Sequence, residues 1–344
     1  MISIIIKSFN RPYYLDRCIT SIYRNVKGDF MIKVVDDGTP EQYLQKLKDK
    51  FPLIDFRTSL QYNSKTKAID ENLTLGKKIN GFSIPTDLWY KEVKNSTSEY
   101  ILVTEDDVWF TKEINVNTIS SQMKKQKIAL TKLGWLGNFS DDKFVEIKSI
   151  TPDLNTTYPK KMFTSNEFVM DLFMYNKYNF FTFLYKLGIV DNETKRKYWS
   201  LNSILMGLYQ KEYWLHIWKD AKGKVDEKQQ LRNASTWFNK NKSNKNFIAR
   251  TTSEVMNTTF KSSATSSYHE YGNNFDVNRM NHILNKAWLK NNFDAMQNYP
   301  KDFSDDYIKI FLEQENHPDA QYEEWFIWAE QFRKQYRNLG AQVD

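Results

Sequence analysis

Three consecutive acidic residues at positions 105–107 follow an apolar segment and are the side chains of this sequence best placed for chemistry. Residues 100–103 have the length and the β-branched, apolar character of a strand that is buried on both faces. Ligands of parallel α/β sheets bind at the carboxyl ends of the strands, so this acidic cluster is expected in a binding crevice. Carboxylates there suit Mg²⁺ or Mn²⁺, which bridge to the phosphates of a substrate. The alternative is a helix N-terminus that acids stabilise, and it is disfavoured because Trp109 and Phe110 follow at once.

The segments before the acidic cluster repeat a pattern of strand, polar loop and helix. Asn10 is expected to cap the helix after the first strand, and Asp36 and Asp37 end the second strand. Repeated βα units of this kind predict an α/β fold with a mostly parallel, Rossmann-like central sheet. The predicted strands lie at residues 2–6, 30–35, 54–57 and 100–103, and a helix is predicted at 85–95.

The first predicted strand lacks a glycine motif for binding phosphate. The sequence has neither the Gly-x-Gly-x-x-Gly fingerprint of dinucleotide-binding folds nor the glycine-rich loop of P-loop NTPases. Carboxylates stand at the strand ends instead. Acids at one strand end indicate contact with a ribose or a base, and acids at another indicate a metal ion.

Three motifs in a fixed order resemble the amino-terminal half of GT-A fold glycosyltransferases of the family 2 type. They are IIIKSFNR at residues 4–11, VDDGT at 35–39 and EYILVTEDD at 99–107. The resemblance covers roughly the first third of the chain. It implies a GT-A fold that binds a nucleotide-diphosphate sugar, with UDP as the expected carrier.

The resemblance also implies roles for individual residues. Ser8 and Phe9 would line the nucleotide pocket, and Asp36 or Asp37 would contact the base or the ribose. The acidic cluster would occupy the metal-binding DxD position, with Asp107 as the direct ligand of Mn²⁺ or Mg²⁺, although the first position holds Glu instead of Asp. The residues assigned to the nucleotide sugar are Ser8, Phe9, Asn10, Arg11, Asp36, Asp37, Lys65, Glu105 and Asp106, and those assigned to the metal are Asp107, Glu105 and His269.

A general base is harder to place. The resemblance implies an Asp at the start of a helix in the middle of the fold, but residues 199–202 read Trp-Ser-Leu-Asn where an acidic pair would be sought. Glu167 and Asp171 are candidates because a predicted strand at 168–175 would bury them and raise their pKa toward a useful range. Asp191 is a third candidate, and it is also expected to cap a helix that runs to about residue 209. For each of the three, an ordinary cap or ion pair is the alternative.

Two polar stretches are expected to form loops. Residues 219–246 are rich in Lys, Asn, Gln and Ser, which is typical of an exposed insertion or mobile loop. The Ser/Thr-rich residues 251–267 lead to His269, and the resemblance implies that this loop closes over the donor while His269 completes the metal site or contacts the diphosphate. A purely structural histidine is the alternative reading.

The end of the chain is expected to be helical. Apolar residues recur at helical spacing after residue 278, and further helices are predicted at 302–315 and 320–339. Packing on the catalytic domain or a homodimer contact is favoured for the last helix over contact with a membrane surface, because Glu323, Glu324 and Glu330 reduce its positive charge. The last helix presents Trp325, Trp328, Phe332, Tyr336 and Leu339.

Length and composition favour an intracellular enzyme. The 344 residues carry a net charge of +7, which favours anionic partners such as nucleotide phosphates, acidic lipids or nucleic acid. The single cysteine, Cys18, excludes an intramolecular disulfide and is expected to be buried and inert. The start of the sequence does not read as a signal peptide, and no apolar run reaches the length of a membrane span, so a cytoplasmic location is expected, with peripheral membrane contact as an option.

The sequence therefore predicts a GT-A catalytic domain at 1–275, with a nucleotide-sugar half at 1–110 and an acceptor half at 111–275, and a helical extension at 276–344. The expected activity is metal-dependent transfer of a sugar to a hydroxyl of a glycan or lipid-linked acceptor in bacterial surface polysaccharide synthesis. One alternative is a glycosyltransferase acting on modified, phage-type DNA, and another is a nucleic-acid-binding protein without transferase activity. A sugar nucleotidylyltransferase is disfavoured because its Gly-rich, Arg-containing opening loop is absent from residues 7–14.

Overall fold

The computed structural model of the protein describes residues 1–77, 79, 81–264 and 271–343. Its strands are β1 (Ile2–Ser8), β2 (Val26–Lys27), β3 (Phe30–Asp36), β4 (Asp55–Thr58), β5 (Tyr100–Glu105), β6 (Val108–Phe110), β7 (Ile114–Asn115), β8 (Leu130–Lys132), β9 (Val145–Ser149), β10 (Leu154–Pro159), β11 (Gly207–Gln210), β12 (Ile248–Thr251) and β13 (Met256–Thr258). The helices are α1 (Pro12–Asn25), α2 (Glu41–Lys50), α3 (Tyr62–Leu75), α4 (Thr86–Asn95), α5 (Val116–Gln126), α6 (Glu167–Tyr175), α7 (Phe180–Lys186), α8 (Asn192–Arg196), α9 (Lys211–Trp218), α10 (Glu227–Lys240), α11 (Val277–Leu289), α12 (Asp305–Glu315) and α13 (Tyr322–Asn338).

A nine-stranded sheet in the order β4-β3-β1-β5-β11-β8-β12-β10-β9 forms the centre of the fold. Strands β4, β3, β1 and β5 pair in parallel, as their sequence pattern predicts. Only β10 and β11 run against the common direction of this sheet. The α/β fold with a mostly parallel sheet is therefore confirmed, and it gathers the carboxyl ends of β1, β3 and β5 at one edge.

The centre of the sheet is buried on both faces, because apolar residues of β1 and β5 point to both of them. All residues of β1 are buried, and so are Tyr100 to Thr104 of β5. One core lies between the sheet and helices α1, α2, α5 and α11 to α13, and a second lies between the opposite face and helices α4, α6, α9 and α10. Cys18 is buried in the first core, where burial raises the pKa of its thiol well above the usual value, as expected of an inert cysteine.

Residues 168–210 differ from two predictions. Residues 168–175 belong to helix α6 instead of a strand, because Met170, Phe173 and Met174 share one buried helical face and Asn166 caps it. The helix that begins after Asp191 is short, and the chain then enters β11, which lies between β5 and β8 in the sheet. A short apolar run fits either a helix or a buried central strand, which is why the predicted helix extends over the residues of β11.

The polar stretch at 219–246 also differs from its prediction as a loop. It contains α10, in which Leu231, Ala234 and Phe238 recur at helical spacing and are buried in the second core. Asp226 caps this helix by accepting a hydrogen bond from the backbone N–H of Gln229 at 3.1 Å. Three apolar side chains on one face are enough to fix the helix, although the overall composition is polar.

The carboxyl-terminal helices pack on earlier parts of the chain, α11 on α1 and α13 on the segment around residue 261. Trp325 and Trp328 of α13 are fully buried, and Trp288 of α11 donates a hydrogen bond to Asp16 of α1 at 2.9 Å. This packing is the role favoured for the last helix, while the domain boundary at residue 276 and a homodimer contact remain predictions. In the described residues, no helix combines the length and the apolar character that crossing a bilayer requires.

Candidate active site

The acidic cluster and the first loop meet at the edge of the sheet. The strand register pairs Lys7 with Glu105 and Ser8 with Asp36, which brings the carboxyl ends of β1, β3 and β5 together. A cavity of about 250 Å³ opens there, and we call it the strand-end cavity. Its lining includes Lys7, Ser8, Phe9, Arg11, Asp37, Trp89, Glu105 and Asp106.

Asp106 holds the loop after β1 in place. One carboxylate oxygen of Asp106 accepts a hydrogen bond from Arg11 Nη2 at 2.6 Å, and the other accepts one from the backbone N–H of Phe9 at 3.0 Å. The side chain is buried, and burial raises its pKa while the charge of Arg11 opposes that rise. Because both of its oxygens are engaged by protein groups, Asp106 is suited to positioning the loop and not to binding an ion.

Arg11 also binds Asp107, and this contact uses only one of the two oxygens of the Asp107 carboxylate. Nη1 of Arg11 lies 2.7 Å from Asp107 Oδ2. The other oxygen, Oδ1, is buried and has no hydrogen-bond partner among the described residues. A buried carboxylate oxygen without a partner is costly unless a ligand or ion completes it.

Glu105 is the second acid that faces open space. Its Oε1 accepts a hydrogen bond from Lys7 Nζ at 2.7 Å, and its side chain is 32% exposed. Lys7 in turn lies over the ring of Trp89, with Nζ 4.6 Å from the ring centroid. Glu105 and Asp107 line a second cavity of about 480 Å³ together with Arg11, Ser262 and Tyr336, which we call the Asp107 cavity.

Glu105 and Asp107 fit a divalent cation as a pair of oxygen ligands. The carboxylates favour a hard cation that keeps several waters, and the unpartnered Asp107 Oδ1 is the atom best suited to bind it. Within the described parts of the chain, no three acidic, histidine or cysteine side chains converge on a metal site. His269, the third predicted ligand, lies outside the described residues.

Asp36 does not face a cavity, which corrects its predicted contact with a base or ribose. It is fully buried, and its two oxygens accept hydrogen bonds from the backbone N–H groups of Gly38 and Thr39 and from the Thr39 hydroxyl. Burial raises the pKa of Asp36 to about 6, while these hydrogen bonds oppose the rise. Asp36 therefore fixes the turn that carries the next residue, Asp37.

Asp37, in contrast, lines the strand-end cavity next to Phe9. One of its oxygens pairs with Nζ of the buried Lys65, which also donates a hydrogen bond to the carbonyl of Ser83 at 2.6 Å. Lys65 therefore contacts Asp37 and does not itself line the strand-end cavity, where the nucleotide is expected. Of the predicted pair, Asp37 is the acid that remains available for a base or ribose.

Asn10 is also a structural residue, and it is not the helix cap that the sequence predicts. Its left-handed backbone, with φ of 52°, turns the chain so that Arg11 takes the N-cap position of α1. The carbonyl and the side-chain oxygen of Asn10 accept hydrogen bonds from Asn285 at 3.1 and 3.2 Å. These contacts fix the loop through α11 and keep Asn10 away from both cavities.

Replacing Asp36 by Ala is expected to lower the free energy of unfolding by about 2 to 4 kcal/mol, because two buried backbone N–H groups would lose their acceptor. Denaturant unfolding measures this change. The matched control is Asp55→Ala on the neighbouring strand, where a half-exposed carboxylate pairs with Arg57 and about 1 kcal/mol or less should be lost. Equal losses in the two variants would contradict the role given to Asp36.

The structure places the three candidate bases away from these cavities. Asp171 lies on α6 in ion pairs with Lys177 and Arg232; its slight burial raises its pKa, but these two partners outweigh that effect and lower it. Glu167 is exposed and lies 3.5 Å from Lys219. The prediction that burial would raise the pKa of Asp171 is wrong, because the segment is a surface helix.

Asp191 serves as a helix cap. Its side chain accepts a hydrogen bond from the backbone N–H of Thr194 at 2.7 Å, within a capping box that begins α8. The hydrogen bond from the Thr194 side chain lowers the pKa of Asp191. The capping alternative is thus the one that the structure favours.

Glu227 is an acid near the site that the sequence reasoning missed. It is the first residue of α10 and lines both the Asp107 cavity and a larger cavity of about 630 Å³, which we call the large cavity. Burial raises the pKa of Glu227, and the charge of Asp226 adds to the rise. Glu227, Asp107, Glu105 and Tyr336 all line the Asp107 cavity, and burial first and then the charges of these three acids raise the pKa of Tyr336. The signal in the sequence was the acidic pair 226–227 before a helical apolar pattern.

The large cavity lies beside the Asp107 cavity, and the two share Gly134, Trp135, Ser203 and Glu227. Trp135 and Trp199 provide aromatic surface in its wall. Together, the strand-end cavity, the Asp107 cavity and the large cavity form a series with Arg11 between the first two and Glu227 between the last two. A carboxylate with a raised pKa between two binding spaces can accept a proton from a group that passes between them.

No protein-family model matches the chain, and no curated protein matches it. Among solved structures, the chain is similar to S. aureus TarS 1-349 in complex with UDP-GlcNAc, with 14% identity, coverage of 90% of this chain and 71% of that chain, and a TM-score of 0.45. It is also similar to the galactosyltransferase LgtC in complex with donor and acceptor sugar analogs, with 12% identity, 73% coverage of each chain and a TM-score of 0.33.

A third similar structure is glucosyl-3-phosphoglycerate synthase from Mycobacterium tuberculosis in complex with Mn²⁺, UDP and phosphoglyceric acid. Its identity is 12%, the match covers 42% of this chain and 46% of that chain, and the TM-score is 0.25. At such identities and TM-scores these likenesses do not bear on the function of this chain, which must be argued from its own site.

Proposed function

We propose that this protein is a glycosyltransferase that moves a sugar from a nucleotide-diphosphate donor, with UDP as the expected carrier, to a hydroxyl of an acceptor. The observation that carries the proposal is the buried, unpartnered Oδ1 of Asp107, which lines the Asp107 cavity beside Arg11 and Glu105, two residues that also line the strand-end cavity. A nucleotide in the strand-end cavity would present its diphosphate toward Arg11 and Asp107. Asp37, Phe9 and the indole N–H of Trp89, which has no hydrogen-bond partner among the described residues, would face the nucleoside.

Charge on the departing diphosphate is the main barrier that the site would lower. Glu105 and Asp107 would hold Mn²⁺ or Mg²⁺, which would supply electrostatic stabilisation of the diphosphate when bound. Arg11 and Lys7 also line the strand-end cavity with positive charge and keep the acids in place through hydrogen bonds of 2.7 Å to Asp107 and to Glu105. The protein thus combines fixed cations with two free carboxylate oxygens.

The acceptor would enter from the large cavity. Glu227 lies where this cavity meets the Asp107 cavity, so an acceptor hydroxyl directed at the sugar would pass its carboxylate. The pKa of Glu227 is raised above the ordinary Glu value, so its carboxylate is a stronger base, and it would take the hydroxyl proton as the new glycosidic bond forms.

Binding of the donor is expected to depend on both the nucleotide and the cation. At a hundred times the dissociation constant, a ligand that binds only the folded protein stabilises it by about 2.7 kcal/mol. A thermal-shift screen of UDP-, GDP- and dTDP-sugars, each with and without Mn²⁺, should show its largest shift for one carrier with Mn²⁺, and UDP is the expected carrier. No shift with any carrier would contradict the proposal.

The proposal also includes the acceptor and the cellular location. A glycan or lipid-linked hydroxyl in bacterial surface polysaccharide synthesis is the expected acceptor, at a cytoplasmic site with optional peripheral membrane contact. The alternatives that use nucleic acid gain no support from the crevice, because its lining includes the acidic residues Asp37, Glu105, Asp106 and Asp107. Salt-dependent binding of DNA would favour them.

A further inference from the structure

The large cavity contains lysines that lack acidic partners. Lys132, Lys195 and Lys228 line it, and none of the three lies within ion-pair distance of a carboxylate in the described residues. The Nζ of Lys132 donates a hydrogen bond to the carbonyl of Trp199 at 2.8 Å, and the Nζ of Lys195 donates one to the carbonyl of Met174 at 3.2 Å. An ammonium group has three donors, so both lysines retain donors for a ligand.

These lysines are held in an environment that disfavours their own charge. Burial lowers the pKa of Lys132 to about 8, and the charge of Arg250 adds to this effect while the charges of Asp141 and Asp142 oppose it. Burial also lowers the pKa of Lys195, and the charge of Lys228 adds to that effect. Cations that destabilise one another around one cavity are stabilised together when an anion enters it.

The other charged groups of the cavity are already paired. Arg250 binds Asp142 through two hydrogen bonds of 2.7 and 2.9 Å, and Arg196 lies 2.6 Å from Asp141. Arg250 also lies over the ring of Trp135 at 4.9 Å, so it forms a fixed wall of the cavity. The remaining acid is Glu227, at the junction with the Asp107 cavity. The unpaired charge is therefore positive within the large cavity and negative at its exit to the site.

We propose that the large cavity binds an anionic group of the acceptor, a phosphate or a carboxylate, and that Lys132, Lys195 and Lys228 determine this specificity. The proposal rests on the proposed function, since it assigns the acceptor class of the same site. The anion would lie among the lysines and a sugar ring would lie against Trp135 or Trp199, while the reacting hydroxyl points toward Glu227. A neutral acceptor would leave the lysines uncompensated.

Three sugars that share the glucose ring and differ in charge test the proposed preference for an anion. Glucose, glucose 6-phosphate and glucuronate are compared by saturation-transfer NMR and titration, with and without saturating UDP and Mg²⁺, so that the donor side is blocked in one arm. At least one of the two anions should bind about tenfold more tightly than glucose in both arms. The phosphate and the uronate arms identify which anion the site takes.

Two matched variants locate the binding. The triple variant K132Q/K195Q/K228Q should lose the preference for the anion, while K91Q/K112Q/K125Q removes the same charge from exposed positions and should keep it. Glucose binding as tightly as both anions, an unchanged preference in the first variant, or no binding of either anion would each overturn the inference. Failure of UDP to bind while the anion preference persists would instead count against the proposed function alone.

Discussion

Replacing Asp107 by Asn should lower turnover by about a thousandfold, because the variant loses the free carboxylate oxygen that would hold the cation at the diphosphate. The Asn side-chain oxygen can still accept the hydrogen bond from Arg11, so the fold should persist. Steady-state release of the nucleoside diphosphate measures the loss, and circular dichroism checks the fold.

The Asp107 variant has a control on the same strand and a second readout. Glu99→Gln, at the opposite end of β5, removes an acid that pairs with Lys124 on the surface and should leave turnover unchanged. The thermal shift that Mn²⁺ adds to the shift from nucleotide alone should vanish in Asp107→Asn and persist in Glu99→Gln. Full turnover of the Asp107 variant, or full turnover in excess chelator, would refute the cation role.

Replacing Glu227 by Gln should lower turnover by about a hundredfold to ten-thousandfold, the range that a general base contributes. Binding of the nucleotide should be unchanged, because Glu227 does not line the strand-end cavity. Glu212→Gln on the exposed face of α9 is the control. Retained turnover in Glu227→Gln would remove this residue from the mechanism.

The dependence of turnover on pH gives an independent test of Glu227. A base must be deprotonated to act, so turnover should fall as the pH drops through its pKa. Burial raises that pKa above the usual Glu value of about 4.3, so the acidic limb should lie above that pH. Glu227→Gln should abolish this limb in the residual activity, whereas a merely structural role would lower turnover at every pH without changing the profile.

The first third of the fold could be predicted because its signals are local. Ile4, Ile5 and Ile6 of β1 and the apolar run of β5 each indicate a strand buried on both faces, and acids directly after the strands indicate the edge where ligands bind. Those strands pair in parallel as expected. The register then brings Lys7 against Glu105 without any further assumption.

Roles within the site depend on distant contacts and could not be predicted. Asp36 and Asp37 are neighbours in the sequence, yet Asp36 accepts hydrogen bonds from backbone N–H groups of its own turn, whereas Asp37 lines a cavity. Likewise, Asp106 and Asp107 differ because Phe9 and Arg11, nearly a hundred residues earlier, take both oxygens of one and a single oxygen of the other. Residue type and spacing in the sequence cannot distinguish the roles of two neighbouring acids.

In the middle of the chain, the overall composition hides the helical periodicity of a few apolar residues. Residues 219–246 are polar overall, and the few apolar residues of α10 were enough to build a helix whose first residue is Glu227. In α6, a short apolar run was assigned to a strand, so Asp171 was expected to be buried, whereas it lies in surface ion pairs. Short apolar segments leave helix and strand ambiguous until their neighbours are known.

The product formed from the donor tests the central claim most directly. The protein is incubated with UDP-, GDP- and dTDP-sugars and Mn²⁺, with and without glucose 6-phosphate and glucuronate, and the nucleotides are separated by chromatography. The account predicts release of a nucleoside diphosphate from one donor, faster with an acceptor and absent in Asp107→Asn. Release of pyrophosphate instead, or no nucleoside diphosphate from any donor, would contradict it.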